Sequence, residues 1–176
     1  MFGRIRPATM DDIAFIERCA DAAFRPHFRV LGAVPMRRRE DYADLIAKGH
    51  LEIAEEQDNG NVVGFLVVFI HPDHIMIDTL SIDPAFQGKG AWRWVEKRLA
   101  ALRRSTGLRV VRTYTNEKLT RNIRLFQLRG FVITGRRQVR GHVFVDMEQV
   151  ESRHDAAAAR RTSRRLGQRA GEDVNG

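Results

Sequence analysis

The sequence predicts a mixed α/β fold of the α+β kind, in which a mostly antiparallel central sheet carries helices on both faces. Three observations predict it. Asp58-Asn59-Gly60 between two β-rich runs is hairpin chemistry, because these residues accept the left-handed backbone that tight hairpin turns demand. The second of those runs, Val62-Val63-Gly64-Phe65-Leu66-Val67-Val68-Phe69-Ile70, is apolar on both faces, so it belongs inside a sheet covered on both sides. Further on, strand-like and helix-like segments alternate twice, which calls for strand–helix–strand crossovers.

The elements follow in order. Arg4 to Ala8 reads as a first strand. Thr9, with Asp12 three residues later, forms a capping box for a helix that carries Ile13, Ile16, Ala20 and Ala23 at helical spacing and runs to about Phe24. Pro26, Gly32 and Pro35 break up the next segment. A second helix is expected from Arg37 to Lys48, with Tyr42, Leu45 and Ile46 inward and Gly49 as its stop. Strands follow at Leu51 to Glu56, Val62 to Ile70 and Ile75 to Ile82, the last entered through the turn His71-Pro72-Asp73-His74. A helix of about 17 residues starts beyond Gly90, buries Ala91, Val95, Leu99 and Leu102, and ends at Gly107. Then come a strand from Arg109 to Thr115, a helix from Glu117 to Arg129, a strand opened by Gly130-Phe131, and a last strand from Gly141 to about Met147.

Size and charge bound the rest. The 176 residues suit one domain over residues 1–150 and an Ala/Arg-rich tail over 151–176, which has almost no apolar surface to bury and is expected to be disordered. No apolar run is long enough to span a membrane, and the N-terminus lacks the apolar core of a secretory signal. The net charge is +8, but the tail, with six arginines and four acidic residues, supplies only two of these charges. No basic stripe is interleaved with aromatics, so a nucleic-acid partner is not expected. Cys19 is the only cysteine, which excludes an internal disulfide, and it reads as a small buried group on the first helix. The six histidines show no ligand spacing, and no metal site is expected. These features suit a cytoplasmic location.

The most informative stretch is the strand Ile75 to Ile82 and the loop that follows, Gln87-Gly88-Lys89-Gly90-Ala91-Trp92. A helix N-terminus presents unpaired N–H groups and the positive end of the helix dipole, and glycines let a phosphate reach that backbone. The spacing is neither the dinucleotide fingerprint, since Arg93 stands at the third glycine, nor a Walker loop, since Gly90 follows Gly88-Lys89. A strand-to-helix turn without a ligand is the alternative.

Two motifs in this order resemble the GNAT acyltransferase superfamily: Gln87-Gly88-Lys89-Gly90-Ala91-Trp92 after a strand, and the segment Tyr114 to Arg129 that leads into Gly130-Phe131. The resemblance covers about Ile5 to Glu148 and implies the GNAT fold, with acetyl-CoA as co-substrate and a small-molecule or peptidyl amine as acceptor; a homodimer is left open. It implies that the backbone around Leu80, Ser81 and Ile82 pairs with the pantetheine arm. The amides from Gly88 through Lys89, Gly90 and Ala91 to Trp92 would hold the pyrophosphate, with Gln87 opening the motif. Asn116, at the end of the next strand, would bind the cofactor or line the acyl site, or else cap the following helix. Asn122 and Phe126 share a helical face near the same place.

Asp78 lies beside the expected thioester and is the candidate base, acting through water. A carboxylate satisfied by its neighbours is the competing reading of that residue. Two positions depart from the family pattern. Trp92 puts a bulky side chain at the end of the glycine motif. Phe126 stands where the family has a tyrosine acid, so the thiolate leaves unaided, or Tyr114 or water serves, or the chain is a catalytically silent acyl-CoA-binding or regulatory module. The run Arg37-Arg38-Arg39 is a solvated helix start or a lure for an acidic substrate.

Overall fold

The computed structural model describes residues 2–31, 37–56 and 60–151. In chain order its elements are β1 (Phe2–Pro7), α1 (Ile13–Phe24), α2 (Phe28–Leu31), α3 (Arg39–Ala47), β2 (Leu51–Glu56), β3 (Val62–Ile70), β4 (Ile75–Ile82), α4 (Trp92–Thr106), β5 (Val110–Asn116), α5 (Thr120–Gln127), β6 (Val132–Val139) and β7 (His142–Val150). The strands make one sheet in the order β1-β2-β3-β4-β5-β7-β6. β1 to β4 are antiparallel neighbours, β5 lies parallel to β4 after the α4 crossover, and β7 is inserted between β5 and β6. The mixed, mostly antiparallel sheet expected from the sequence is therefore present.

Each face of the sheet has its own core. On one, α1 and α3 press Ile16, Cys19, Ala20, Tyr42 and Leu45 onto Leu51, Ile53, Phe65 and Val67. On the other, α4 and α5 press Trp92, Val95, Leu99 and Phe126 onto Leu66, Ile75, Ile77, Val111, Val145 and Met147. β3 contributes to both cores, which is why its run is apolar throughout. Full burial of an Ile, Leu or Phe is worth about 1.5–3 kcal/mol, so these contacts outweigh the local preferences of any one element.

Several expected boundaries shift, for local reasons. The segment after α1 stays helical as a 3-10 turn at Arg25–His27 and then α2, because Pro26 sits in a first turn where its missing N–H costs nothing. α3 begins at Arg39 instead of Arg37: Arg38 is extended, and its N–H donates to Asp41 Oδ2 at 2.8 Å. α4 spans 15 residues and stops at Gly107, whose φ of 75° ends the helix as expected. α5 starts three residues late because Glu117 is still bonded to the sheet, donating its N–H to Val143 O at 3.0 Å. In the β2–β3 hairpin, Asp58 and Asn59 lie outside the described residues; Gly60 has φ 70° and Glu56 N donates to Asn61 O at 2.9 Å. The tail expectation also lies outside the described residues, from residue 152 onward.

Gly64 is required by close approach. A Cβ there would lie 2.3 Å from Ser81 O on β4, so β3 and β4 keep their spacing only with no side chain at this position.

Candidate active site

The site begins with one extra residue. β3 and β4 pair Val68 with Ile77 and Val67 with Thr79, which leaves Asp78 unmatched as a β-bulge. β4 and β5 pair only from Ile75 with Val111 to Ile77 with Thr113, and then part. Both strands run on, β4 to Ile82 and β5 to Asn116, so a slot opens between them just beyond Asp78.

Main-chain direction alternates along a strand, which settles what lines the slot. Asp83 N donates to Val63 O at 2.9 Å, so Ser81, two residues back, turns its N–H and C=O toward β3 as well. Leu80 and Ile82 turn theirs toward the slot. Ile82 O there accepts Gln87 Nε2 at 3.0 Å. Ser81 is buried, and its hydroxyl donates to Cys19 O at 3.3 Å, so of the three expected backbone positions Leu80 and Ile82 lie on the open edge.

The glycine loop closes one end. Gly88 and Gly90 have φ of 73° and 81°, and a Cβ at either would meet nothing within 4 Å, so their side-chain direction faces open space. Among the described residues, the amides of Gly88, Gly90, Ala91 and Trp92 donate to no backbone carbonyl. Lys89 N is held by Phe86 O at 3.4 Å, and its Nζ lies 5.9 Å from the Phe86 ring centre. The Trp92 side chain does not crowd this loop. It is 6% exposed, turned into the core, and packs edge-on against Phe126 with ring centres 5.6 Å apart. Phe126 is wedged between Trp92 and Phe131, and Asn122, one turn earlier on α5, is half-buried.

Asn116 is buried at the end of β5. Its Oδ1 accepts Lys118 N at 3.0 Å and holds the turn into α5, while its Nδ2 makes no hydrogen bond among the described residues. The side chain thus serves the turn and keeps a donor free at once.

Around Asp78 the structure assembles a cluster that the motifs did not reveal. Tyr114 donates its hydroxyl to Asp78 Oδ1 at 2.8 Å. Thr79 Oγ1 donates to Oδ2 at 3.0 Å, and Arg37 forms an ion pair with the same oxygen. Burial, and then the Asp78 charge, push the Tyr114 phenol up to about 12, so it holds its proton at neutral pH. The Arg137 guanidinium lies 4.8 Å from the Tyr114 ring centre and 5.5 Å from that of Phe144, and Asp146 holds it at 2.9 Å. Tyr114 could have been found by continuing the Ile77–Thr113 register one step; Arg37 comes from outside the sheet and left no such signal.

Other candidates fall away. Cys19 is buried, its thiol is pushed up to about 11 by desolvation, and it reads as a core group. His71 and His74 stack with ring centres 4.5 Å apart, and the described residues contain no cluster able to hold a metal. A cavity of about 420 Å³ lies by the other edge of the sheet, lined by Arg6, Glu52, Trp94, Lys97 and Arg98, and takes no part in the slot. No described helix is long and apolar enough to cross a membrane.

Comparison with known proteins identifies the family and the fold. The model of the acetyltransferase (GNAT) family matches residues 16–131. Similar solved structures include Ard1 from Thermoplasma volcanium, with TM-score 0.69 and 20% identity over 86% of this chain and 99% of that one. The PaiA N-acetyltransferase from Thermoplasma acidophilum, solved with coenzyme A, has TM-score 0.69 and 13% identity over 84% and 98%. Naa20 from Chaetomium thermophilum, solved with a bisubstrate analogue, has TM-score 0.69 and 15% identity over 88% and 90%. At these identities the likeness is one of fold. No curated protein matches the sequence. The family match runs from α1 to Phe131 and takes in the bulge, the slot and the glycine loop: the chain belongs to the GNAT acetyltransferase family.

Proposed function

We propose that the chain transfers an acetyl group from acetyl-CoA to the primary amine of a small molecule or a peptide. The observation that carries this reading is the slot between β4 and β5, with unpaired loop amides at one end and Asp78 at the other. The amides of Gly88, Gly90, Ala91 and Trp92 suit a pyrophosphate, because they gather unpaired donors at the positive end of α4. The main-chain edge at Leu80 and the Ile82 N–H, with Ile82 O already taken by Gln87, suits the amides of a pantetheine arm, which would join β4 as an added strand does. Asn116 Nδ2 supplies one more donor nearby, and in this reading Asn122 and Phe126, on one face of α5, would border the same region. Coenzyme A and a bisubstrate analogue bound to the two neighbours named above support the same co-substrate.

In this reading the amine nitrogen attacks the thioester carbonyl carbon, and the C–S bond breaks. Asp78 receives the proton that the amine loses, through a water. The N–H of Leu80 or Ile82 polarises the carbonyl oxygen. Phe126 has no proton to give, but a thiol with a pKa near 8.5 leaves tolerably as a thiolate near neutral pH. A cytoplasmic setting fits a chain whose one cysteine allows no internal disulfide.

Phe126 also favours a second reading, a module that binds acyl-CoA without turning it over. Calorimetry with acetyl-CoA followed by thiol release with a panel of amines separates the two. Heat of binding with amine-dependent release supports transfer. Binding without release from any amine supports the silent module, and absence of binding rejects both.

A further inference from the structure

We propose that Arg37 occupies the subsite of the acceptor's ammonium group, so that the acceptor is a cationic amine that enters by displacing it. The proposal rests on the acetyl-transfer reading and names the substrate class of that site. Its basis is the way Asp78 is held. Tyr114 on β5 and Thr79 on β4 already fix the carboxylate with two hydroxyl donors, one on each oxygen, and both belong to the sheet. Arg37 adds no orientation that these lack. It adds charge, and it is the one cation paired with Asp78 among the described residues.

Arg37 is also placed to leave. It precedes α3 in non-helical backbone, and its side chain is 33% exposed, against 14% for Asp78. Its guanidinium has no second acceptor among the described residues. By contrast Arg137, over the Tyr114 ring, is anchored by Asp146 and by two aromatic rings. An alkylamine has a pKa near 10.4 and arrives protonated at neutral pH, so it first meets the Asp78 carboxylate as an ammonium ion, before proton loss and attack. Oδ2 already accepts Thr79 and Arg37, and Oδ1 accepts Tyr114, so an ammonium that pairs with this carboxylate competes with Arg37. Exchange of guanidinium for ammonium leaves the local charge unchanged, and the cost of entry is the loss of one partly exposed ion pair.

The test is equilibrium binding, which does not require turnover. Propylamine at pH 7 is titrated into the coenzyme A-bound protein and followed by NMR, for the natural chain, Arg37→Ala and Arg37→Gln. Coenzyme A affinity, measured alongside, shows that each variant is folded. The proposal expects propylamine to bind about two- to fivefold more tightly to both variants, the range set by losing a partly exposed competing ion pair. Methylguanidine should compete with propylamine in Arg37→Ala. Equal or weaker propylamine binding in both variants overturns the proposal. So does turnover that is lost in Arg37→Ala and restored by methylguanidine, since Arg37 would then serve the reaction. Tighter binding with no turnover by any protein keeps the subsite and rejects the acetyl-transfer reading instead.

Discussion

Tyr114 Oη lies 2.8 Å from Asp78 Oδ1, and the contact crosses the sheet at the place where β4 and β5 cease to pair. The phenol keeps its proton, so it acts as a permanent donor to the carboxylate and holds it at the mouth of the slot. Replacing Tyr114 by Phe removes that donor and leaves the ring in its contact with Phe144. A hydrogen bond to a charged group is worth about 1.5–3 kcal/mol, so kcat should fall about tenfold or more. KM for acetyl-CoA should stay near its natural value, because the ring is retained. An unchanged kcat would remove Tyr114 from the account.

The same phenol predicts a pH effect on stability. Its pKa rises from 10.0 to about 12 on folding, so the folded state binds the proton more tightly than the unfolded state. The resulting stabilisation is complete below pH 10 and is lost as pH rises through about 12. Tyr42, pushed to about 12 by burial, acts in the same window. Urea unfolding at pH 9, 10 and 11 should show natural protein losing stability across this range and Tyr114→Phe losing less. Parallel curves would contradict the assignment.

Asp78→Asn keeps the shape of the bulge and removes the charge. Acetyl transfer should drop by roughly 10²-fold or more, the lower end of general-base effects, while acetyl-CoA affinity changes little. The check is kcat for an amine beside the calorimetric Kd for acetyl-CoA. Equal rates for the two proteins from pH 6 to 9 would exclude Asp78 from the proton path.

Gly64→Ala tests the strand spacing behind the slot. Its Cβ would sit 2.3 Å from Ser81 O, which belongs to backbone and moves only with β4. Overpacking of this kind typically costs about 1–3 kcal/mol, and the displaced strand is the one that carries Leu80 and Ile82. Thermal unfolding should show a lower Tm, and acetyl-CoA binding should weaken. A variant as stable as the natural chain would mean that β3 and β4 tolerate a wider spacing.

Strong local signals made most of the fold legible in the sequence. β2, β3 and β4 appear where their apolar runs end, because Gly49, the hairpin at Gly60 and the turn at His71 interrupt them. The glycine loop was legible for the same reason, since Gly88 and Gly90 adopt a backbone that other residues avoid. What stayed hidden depended on contacts between distant segments. The inward turn of Trp92 is decided by Phe126, 34 positions later, and the Asp78 cluster joins residues from a loop and two strands. The late start of α5 follows from a bond between Glu117 and β7, which no helical periodicity reports.

The most direct test of the central claim is thiol release from saturating acetyl-CoA by the natural protein, measured across a panel of primary amines. The account predicts release that depends on the amine, saturates with its concentration, and yields the N-acetylated amine in equal amount. Tight acetyl-CoA binding with no amine-dependent release across the panel would contradict it.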